Sequence, residues 1–224
     1  MGRQKAVVLL SGGLDSCVSA TLAKSEGFDI FALTIDYGQR HKRELRSASA
    51  VAKSLGAKKH LVMKIDMAKI GGSALTDKKL RVPKSGVKPG IPITYVPARN
   101  LVFLSIAVSY AEAVGAARVY IGANSVDYSG YPDCRPEFIR AFSRAARLGT
   151  KAGVEVRGVR IIAPLQNLSK GDIVRLGAKS GAPMHLTWSC YEGGERACGK
   201  CDSCRLRLKG FEQAGAIDKI KYKI

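Results

Sequence analysis

The sequence predicts an α/β fold, a doubly wound parallel sheet with a small cysteine-rich subdomain at its C-terminal end. Three observations carry this. Apolar runs of strand length alternate with amphipathic helical stretches along most of the chain. The first such run leads directly into a glycine-rich turn and then a helix. Four of the 6 cysteines crowd into residues 190–204, after the alternation has ended.

Residues 6–10, Ala-Val-Val-Leu-Leu, read as a strand buried on both faces. The helix expected over 16–26 carries Val18 and Leu22 on one stripe and is stopped by Gly27. A second strand over 30–35 runs into the polar stretch DYGQRH at 36–41. The next helix has Leu45, Ala48, Ala52 and Leu55 inward and Gly56 at its end, and a third strand follows over 60–65. Over 66–97 the pattern lapses into prolines, glycines and lysines, a length that marks a functional segment such as a lid.

A helix over 98–114 restores the pattern and a fourth strand follows over 118–123. It leads into a second polar stretch at 124–135, and Pro136 then opens a helix bearing Phe138, Ile139, Phe142 and Ala146. The fifth strand is expected over 159–163, and Ser169 to Asp172 form a capping box for a helix that Gly181 ends. The chain therefore divides into residues 1–183 and a C-terminal segment, 184–224. Polar clusters follow the first, second and fourth strands. In a doubly wound sheet these meet at the carboxyl edge where strand order reverses, so residues 11–16, 36–41 and 124–135 are expected to face one crevice.

With 224 residues and 46% hydrophobic content, the chain can bury one substantial core. It has no apolar run long enough to span a membrane, and its start leads into a core strand without a signal-peptide layout, so a cytoplasmic protein is expected. The net charge of +19 favours anionic ligands. The lysines and arginines are dispersed, which fits a solvated surface and a nucleic-acid footprint alike.

Ser11-Gly12-Gly13-Leu14-Asp15-Ser16 between strand and helix is an anion site, because successive N–H groups and the helix dipole favour negative charge there. No lysine follows the loop as in a Walker motif, and the dinucleotide fingerprint is absent. The spacing Cys190-x7-Cys198-x2-Cys201-x2-Cys204 suits a closed tetrahedral site, hence a structural zinc ion. An iron–sulfur cluster or a sulfur-donating redox pair is the rival. Nearby Arg196, Lys200, Arg205 and Arg207 would offset the thiolate charge. Cys17 reads as packing, and Cys134 as either a buried turn residue or a thiol facing the crevice. His41 suits phosphate or carboxylate contact, as do Arg99 and Asn100 at a helix start. Asp127 and Asp133 are candidates to accept hydrogen bonds from a donor-rich ring, or turn residues.

The stretches SGGLDS, DYGQRH, PARN, GANSVDYSGYPDCRPEFI and TWSCYEGG…CGKCDSC resemble the 7-cyano-7-deazaguanine synthase family, within the PP-loop ATP pyrophosphatases of adenine nucleotide alpha hydrolase-like fold. They span residues 11–204. The resemblance implies a ligase that converts 7-carboxy-7-deazaguanine, ammonia and ATP to the nitrile through adenylated acid and amide, releasing AMP and diphosphate. It implies ATP held by Leu10, Ser11, Gly12, Gly13, Leu14, Asp15, Ser16, Cys17, Val18, Ser19 and Ala20, with Mg²⁺ sharing the phosphate charge. Asp15, Arg40, His41, Arg99 and Lys170 are then the catalytic candidates. Tyr37, Gln39, Asn124, Asp127, Tyr131, Asp133 and Arg135 are the substrate readers. The resemblance also implies a homodimer working on small molecules, for queuosine or archaeosine precursors, without direct contact to nucleic acid. The competing readings are a tRNA-modifying enzyme, an amide synthetase fed by a partner, and a nucleotide sensor without turnover.

Overall fold

The computed structural model describes residues 2–84, 90–125, 130–155 and 158–223. Five strands form one sheet in the order β3-β2-β1-β4-β5. They are β1 (Lys5–Leu9), β2 (Asp29–Asp36), β3 (Lys59–Lys64), β4 (Arg118–Tyr120) and β5 (Arg160–Ile162). All four neighbouring pairs are parallel. Strand order therefore reverses between β1 and β4, as the alternation requires.

Seven helices connect and cover the sheet among the described residues: α1 (Leu14–Ser25), α2 (Arg43–Ser54), α3 (Arg99–Val114), α4 (Pro136–Leu148), α5 (Lys151–Val154), α6 (Lys170–Lys179) and α7 (Asp202–Gln213). Alternation along β1 sorts the core into two layers. Val7 and Leu9 pack with Leu33, Ile35 and Val119 against Leu104, Ala107, Val108 and Ala111 of α3. Ala6, Val8 and Leu10 pack on the other side against Cys17, Ala20 and Ala23 of α1 and Ala48, Val51 and Ala52 of α2. Cys17 is packing, as its sequence context indicates.

β4 is shorter than expected. Pairing stops soon after Ile121, whose N–H still donates to Ile162 O at 2.9 Å. Beyond it the backbone turns against the start of α1, where a Cβ on Gly122 would lie 2.7 Å from the Ser16 nitrogen. Part of 66–97 packs into the body of the fold. Ser73, Ala74, Leu75 and Thr76 are buried. The Arg40 N–H donates to Leu75 O at 3.0 Å, and the Arg40 guanidinium reaches the carbonyls of Ala74, Asp77 and Leu80.

The sequence pattern gives no sign of α7, whose stretch is charged and contains Gly210. Tertiary packing supplies the reason for both. α7 lies on α6, and a Cβ at Gly210 would meet Lys170 Cγ at 2.4 Å. Arg207, on the inward side, is 2% exposed and pairs with Asp218, 4% exposed, at 2.6 Å. Its other nitrogens donate to Thr187 and Ser189 hydroxyls and to Met184 O. The C-terminal tail closes over this segment, with Ala197 N–H donating to Lys221 O and Lys223 N–H to Ala197 O. Replacing Arg207 by Ala strands the Asp218 carboxylate in a dry site. Urea denaturation is expected to register a loss of about 3–5 kcal/mol.

Candidate active site

The glycine turn between β1 and α1 is built for close approach. Gly12 has φ +87, and a Cβ there would sit 2.1 Å from Glu44 O and 2.7 Å from Ala48 N of α2. Hydroxyls brace the turn. Ser11 Oγ and Ser16 Oγ are 3.0 Å apart, the Gly13 N–H donates to Ser11 Oγ, and Ser16 Oγ donates to Gly13 O. As at any helix start, the first N–H groups of α1 lack intrahelical acceptors, which suits the turn to an anion. Asp15 is neutralised by Lys170, whose ammonium sits 2.7–2.8 Å from both carboxylate oxygens. Lys170 is 8% exposed and Asp15 25%.

This turn opens into a cleft of about 250 Å³ at the strand-order reversal. Leu10, Ser11, Gly13, Leu14, Asp15 and Ser16 line one end, and Tyr37, Gln39, Arg40, His41, Arg99, Asn124 and Tyr131 line the rest. Cys17, Val18, Ser19 and Ala20 lie in the buried body of α1, behind the cradle. Arg99 is aimed by an unusual helix start. Ala98 holds φ +53, the one positive φ among the described non-glycine residues, and its N–H donates to Tyr95 Oη. The Arg99 guanidinium then lies 5.7 Å from the Tyr37 ring centroid. Burial disfavours its charge, but the phenols of Tyr37 and Tyr131, the Cys134 thiol and Asp133 more than compensate, and its pKa stands above the ordinary value. Burial pushes Tyr37 up to about 12, so it is a neutral hydroxyl. Gln39 accepts from the Tyr37 N–H at 2.9 Å, and Tyr131 Oη pairs with Thr94 Oγ1 at 3.0 Å. His41 abuts Gly193; burial lowers its pKa and Cys190 opposes this.

The expectation that all of 124–135 faces this crevice needs correction. Asp133 accepts from the Asn100 N–H through Oδ2 at 2.8 Å, so its carboxylate caps α3. Arg135 lines a separate depression with Tyr95, Leu101 and Phe138. The chain turns through a short helical stretch at Pro132–Cys134, in which Asp133 and Cys134 are buried. Asp127 lies outside the described residues. Cys134 satisfies both readings made for it. It is buried, lines the cleft, accepts from Asn100 Nδ2 at 3.1 Å, and is pushed by burial up to about 12.

Sequence reasoning missed Glu44, Trp188, Ser189, Tyr191 and Ser203, which also line the cleft. Glu44 stands three residues after His41, but a helical glutamate carries no signal of its own. Burial raises its carboxyl to about 7, Arg99 acting against this and Cys190 with it. Trp188 locks the C-terminal segment to the glycine turn: its N–H donates to Gly12 O at 2.8 Å and Arg43 lies 5.0 Å from its ring centroid.

The four cysteines come together behind Trp188. Their sulfurs all lie within 4.8 Å of one another, and all four residues are buried. Backbone N–H groups of Glu192 and Cys198 point at Cys190 Sγ, and those of Lys200 and Cys201 at Cys198 Sγ. Cys190 is driven well below the usual thiol range by hydrogen bonds from Cys201 and Cys204, while Cys201 is pushed up to about 12 by its bond to Cys190. So many thiols in one buried space cannot all ionise without a cation, and the set fits a metal such as zinc.

The family model for Queuosine biosynthesis protein QueC matches residues 5–215. A 7-cyano-7-deazaguanine synthase of Acetivibrio thermocellus is 57% identical over 219 residues, 98% of each chain. One from Azotobacter vinelandii is 57% identical over 224 residues, covering 99% of this chain and all of its own. Among solved structures, NMN synthetase from Francisella tularensis superposes with a TM-score of 0.51 at 16% identity, covering 96% of this chain and 79% of that one. This last likeness speaks for the shared fold.

Metal analysis of the purified protein is expected to find one divalent ion per chain. Cys201→Ser should lower that ratio and reduce the melting temperature by roughly 4–8 °C, the shift for a loss of ~2 kcal/mol at this chain length.

Proposed function

The chain belongs to the Queuosine biosynthesis protein QueC family, and we propose that it converts 7-carboxy-7-deazaguanine, ammonia and ATP to 7-cyano-7-deazaguanine. The observation that carries this reading is the cleft itself, in which the Ser11–Ser16 cradle, Arg99, Asn124 and Tyr131 line one space at the strand-order reversal. Relatives 57% identical over nearly full length bear the synthase name.

The phosphates of ATP bind over the N–H groups at the start of α1, with Mg²⁺ sharing their charge. The substrate carboxylate attacks the α-phosphorus, and diphosphate leaves. No protein nucleophile is needed, so catalysis is positioning plus electrostatics. Arg99 supplies a fixed cation beside the reacting groups. His41, whose pKa burial lowers, offers a hydrogen bond. Arg40 acts chiefly as a strut, since one guanidinium nitrogen is occupied by three wall carbonyls. Lys170 acts through Asp15, orienting the cradle rather than touching substrate. Tyr37, Gln39, Asn124 and Tyr131 border the space where the heterocycle sits, while Asp133 serves it at one remove, by holding the start of α3. Ammonia displaces AMP from the acyl adenylate to give the amide. A second ATP activates the amide oxygen, and loss of AMP leaves the nitrile.

In this reading residues 1–183 form the catalytic body and 184–224 a metal-held cover, with zinc in a structural role. The enzyme works in the cytosol as a homodimer on small molecules, with no direct contact to nucleic acid. Among the described residues no helix is long and apolar enough to cross a membrane.

Mass spectrometry on protein, ATP, Mg²⁺, ammonium and 7-carboxy-7-deazaguanine is expected to follow acid to amide to nitrile, with AMP formed at both steps. Intact ATP, or cleavage only on addition of tRNA, would reject the reading. Gly12→Ala must move the cradle, because its Cβ meets backbone rather than a flexible side chain. Its Kd for ATP should rise about 100-fold or more, roughly 3 kcal/mol, with the circular dichroism spectrum retained.

A further inference from the structure

Two carboxylates line the cleft, Asp15 and Glu44. Their situations are opposite. Asp15 is held by Lys170 in a two-oxygen ion pair and has no role left for a free base. Glu44, on the first turn of α2, has no hydrogen-bond or ion-pair partner among the described residues. An unpaired carboxylate facing an enclosed space is costly unless something visits it. The charged and titratable groups around it are Arg99 on α3, Tyr37 after β2, and Cys190 in the C-terminal segment. None of them neutralises it directly.

The proposed reaction requires a group of this kind. Ammonia at neutral pH is almost entirely ammonium, a cation without a lone pair. It must be drawn into a cleft already containing Arg99, and it must lose a proton before it can attack. We propose that Glu44 binds ammonium and takes its proton, so acting as the catalytic base of the amide-forming step; this rests on the synthase reading above. One N–H bond breaks and its proton passes to a Glu44 oxygen. The freed lone pair forms the C–N bond at the acyl carbon. The C–O bond to AMP then breaks, AMP keeps that electron pair, and the second surplus proton leaves with AMP or to solvent. A carboxylate on the wall of the cleft can pass the proton on to solvent before the next cycle.

A role in helix or loop structure would affect every nucleophile alike, whereas a base for ammonium would not. The test therefore compares ammonium with hydroxylamine, whose nitrogen is unprotonated at neutral pH and needs no base. Carboxylate-dependent diphosphate release, amide formation and hydroxamate formation are measured on wild type, Glu44→Gln and Glu44→Asp. In Glu44→Gln the kcat/KM for ammonium should fall about 100-fold, within the range for loss of a general base. Hydroxamate formation and diphosphate release should stay within about threefold of wild type. Equal losses with both nucleophiles, or an unchanged ammonium rate, would overturn the assignment. If Glu44→Gln does not fold, Glu44→Asp decides on the same criterion, since it keeps the charge but withdraws it by one methylene. Wild type releasing no diphosphate with the carboxylate substrate would reject the synthase reading itself, an outcome separate from either variant's behaviour.

Discussion

Backbone crowding at Gly12 governs how the rest of the site is assembled. The turn is pressed against the start of α2, with room for no Cβ, and it is bridged to the C-terminal segment by the Trp188 N–H on Gly12 O. The backbone just after β4 also comes close, at Gly122 against the start of α1. Three parts of the chain distant in sequence thus converge on one anion cradle. A turn packed in this way has little room to rearrange, and a preorganised helix start loses least on binding an anion.

The C-terminal segment is held to this centre by two kinds of buried polarity. The four thiols require a cation to share one dry space. Arg207 requires Asp218 and a set of oxygen acceptors for the same reason. Each cluster is expensive to break once buried. Trp188, Ser189, Tyr191 and Ser203 of this segment so come to line the cleft. The wall at 73–80 is fixed in a related way, by the Arg40 guanidinium on three carbonyls.

Charge in the cleft is divided by pairing. Asp15 and Lys170 cancel beside the glycine turn, leaving the start of α1 as the local positive pole. Arg99 retains its charge among phenols and a thiol, and burial keeps Tyr37 and Cys134 neutral. Glu44 lines the same cleft with no hydrogen-bond or ion-pair partner among the described residues.

The strand–helix alternation and the glycine turn determine the sheet, its reversal point and the position of the cradle, because periodicity and backbone sterics are local properties. The spacing of Cys190, Cys198, Cys201 and Cys204 brings four thiols together for the same reason, in a set that fits a metal ion. Helix direction within 124–135 was not legible. Asp133 and Arg135 have the residue types of substrate readers, yet one caps α3 and the other lines a neighbouring depression. α7 was hidden because its stability comes from burial of Arg207 and contact with α6 rather than from apolar period. Glu44 looked like any helical glutamate. Only the tertiary structure decided that it faces Arg99 without a partner, since pairing and desolvation depend on neighbours brought from distant parts of the chain.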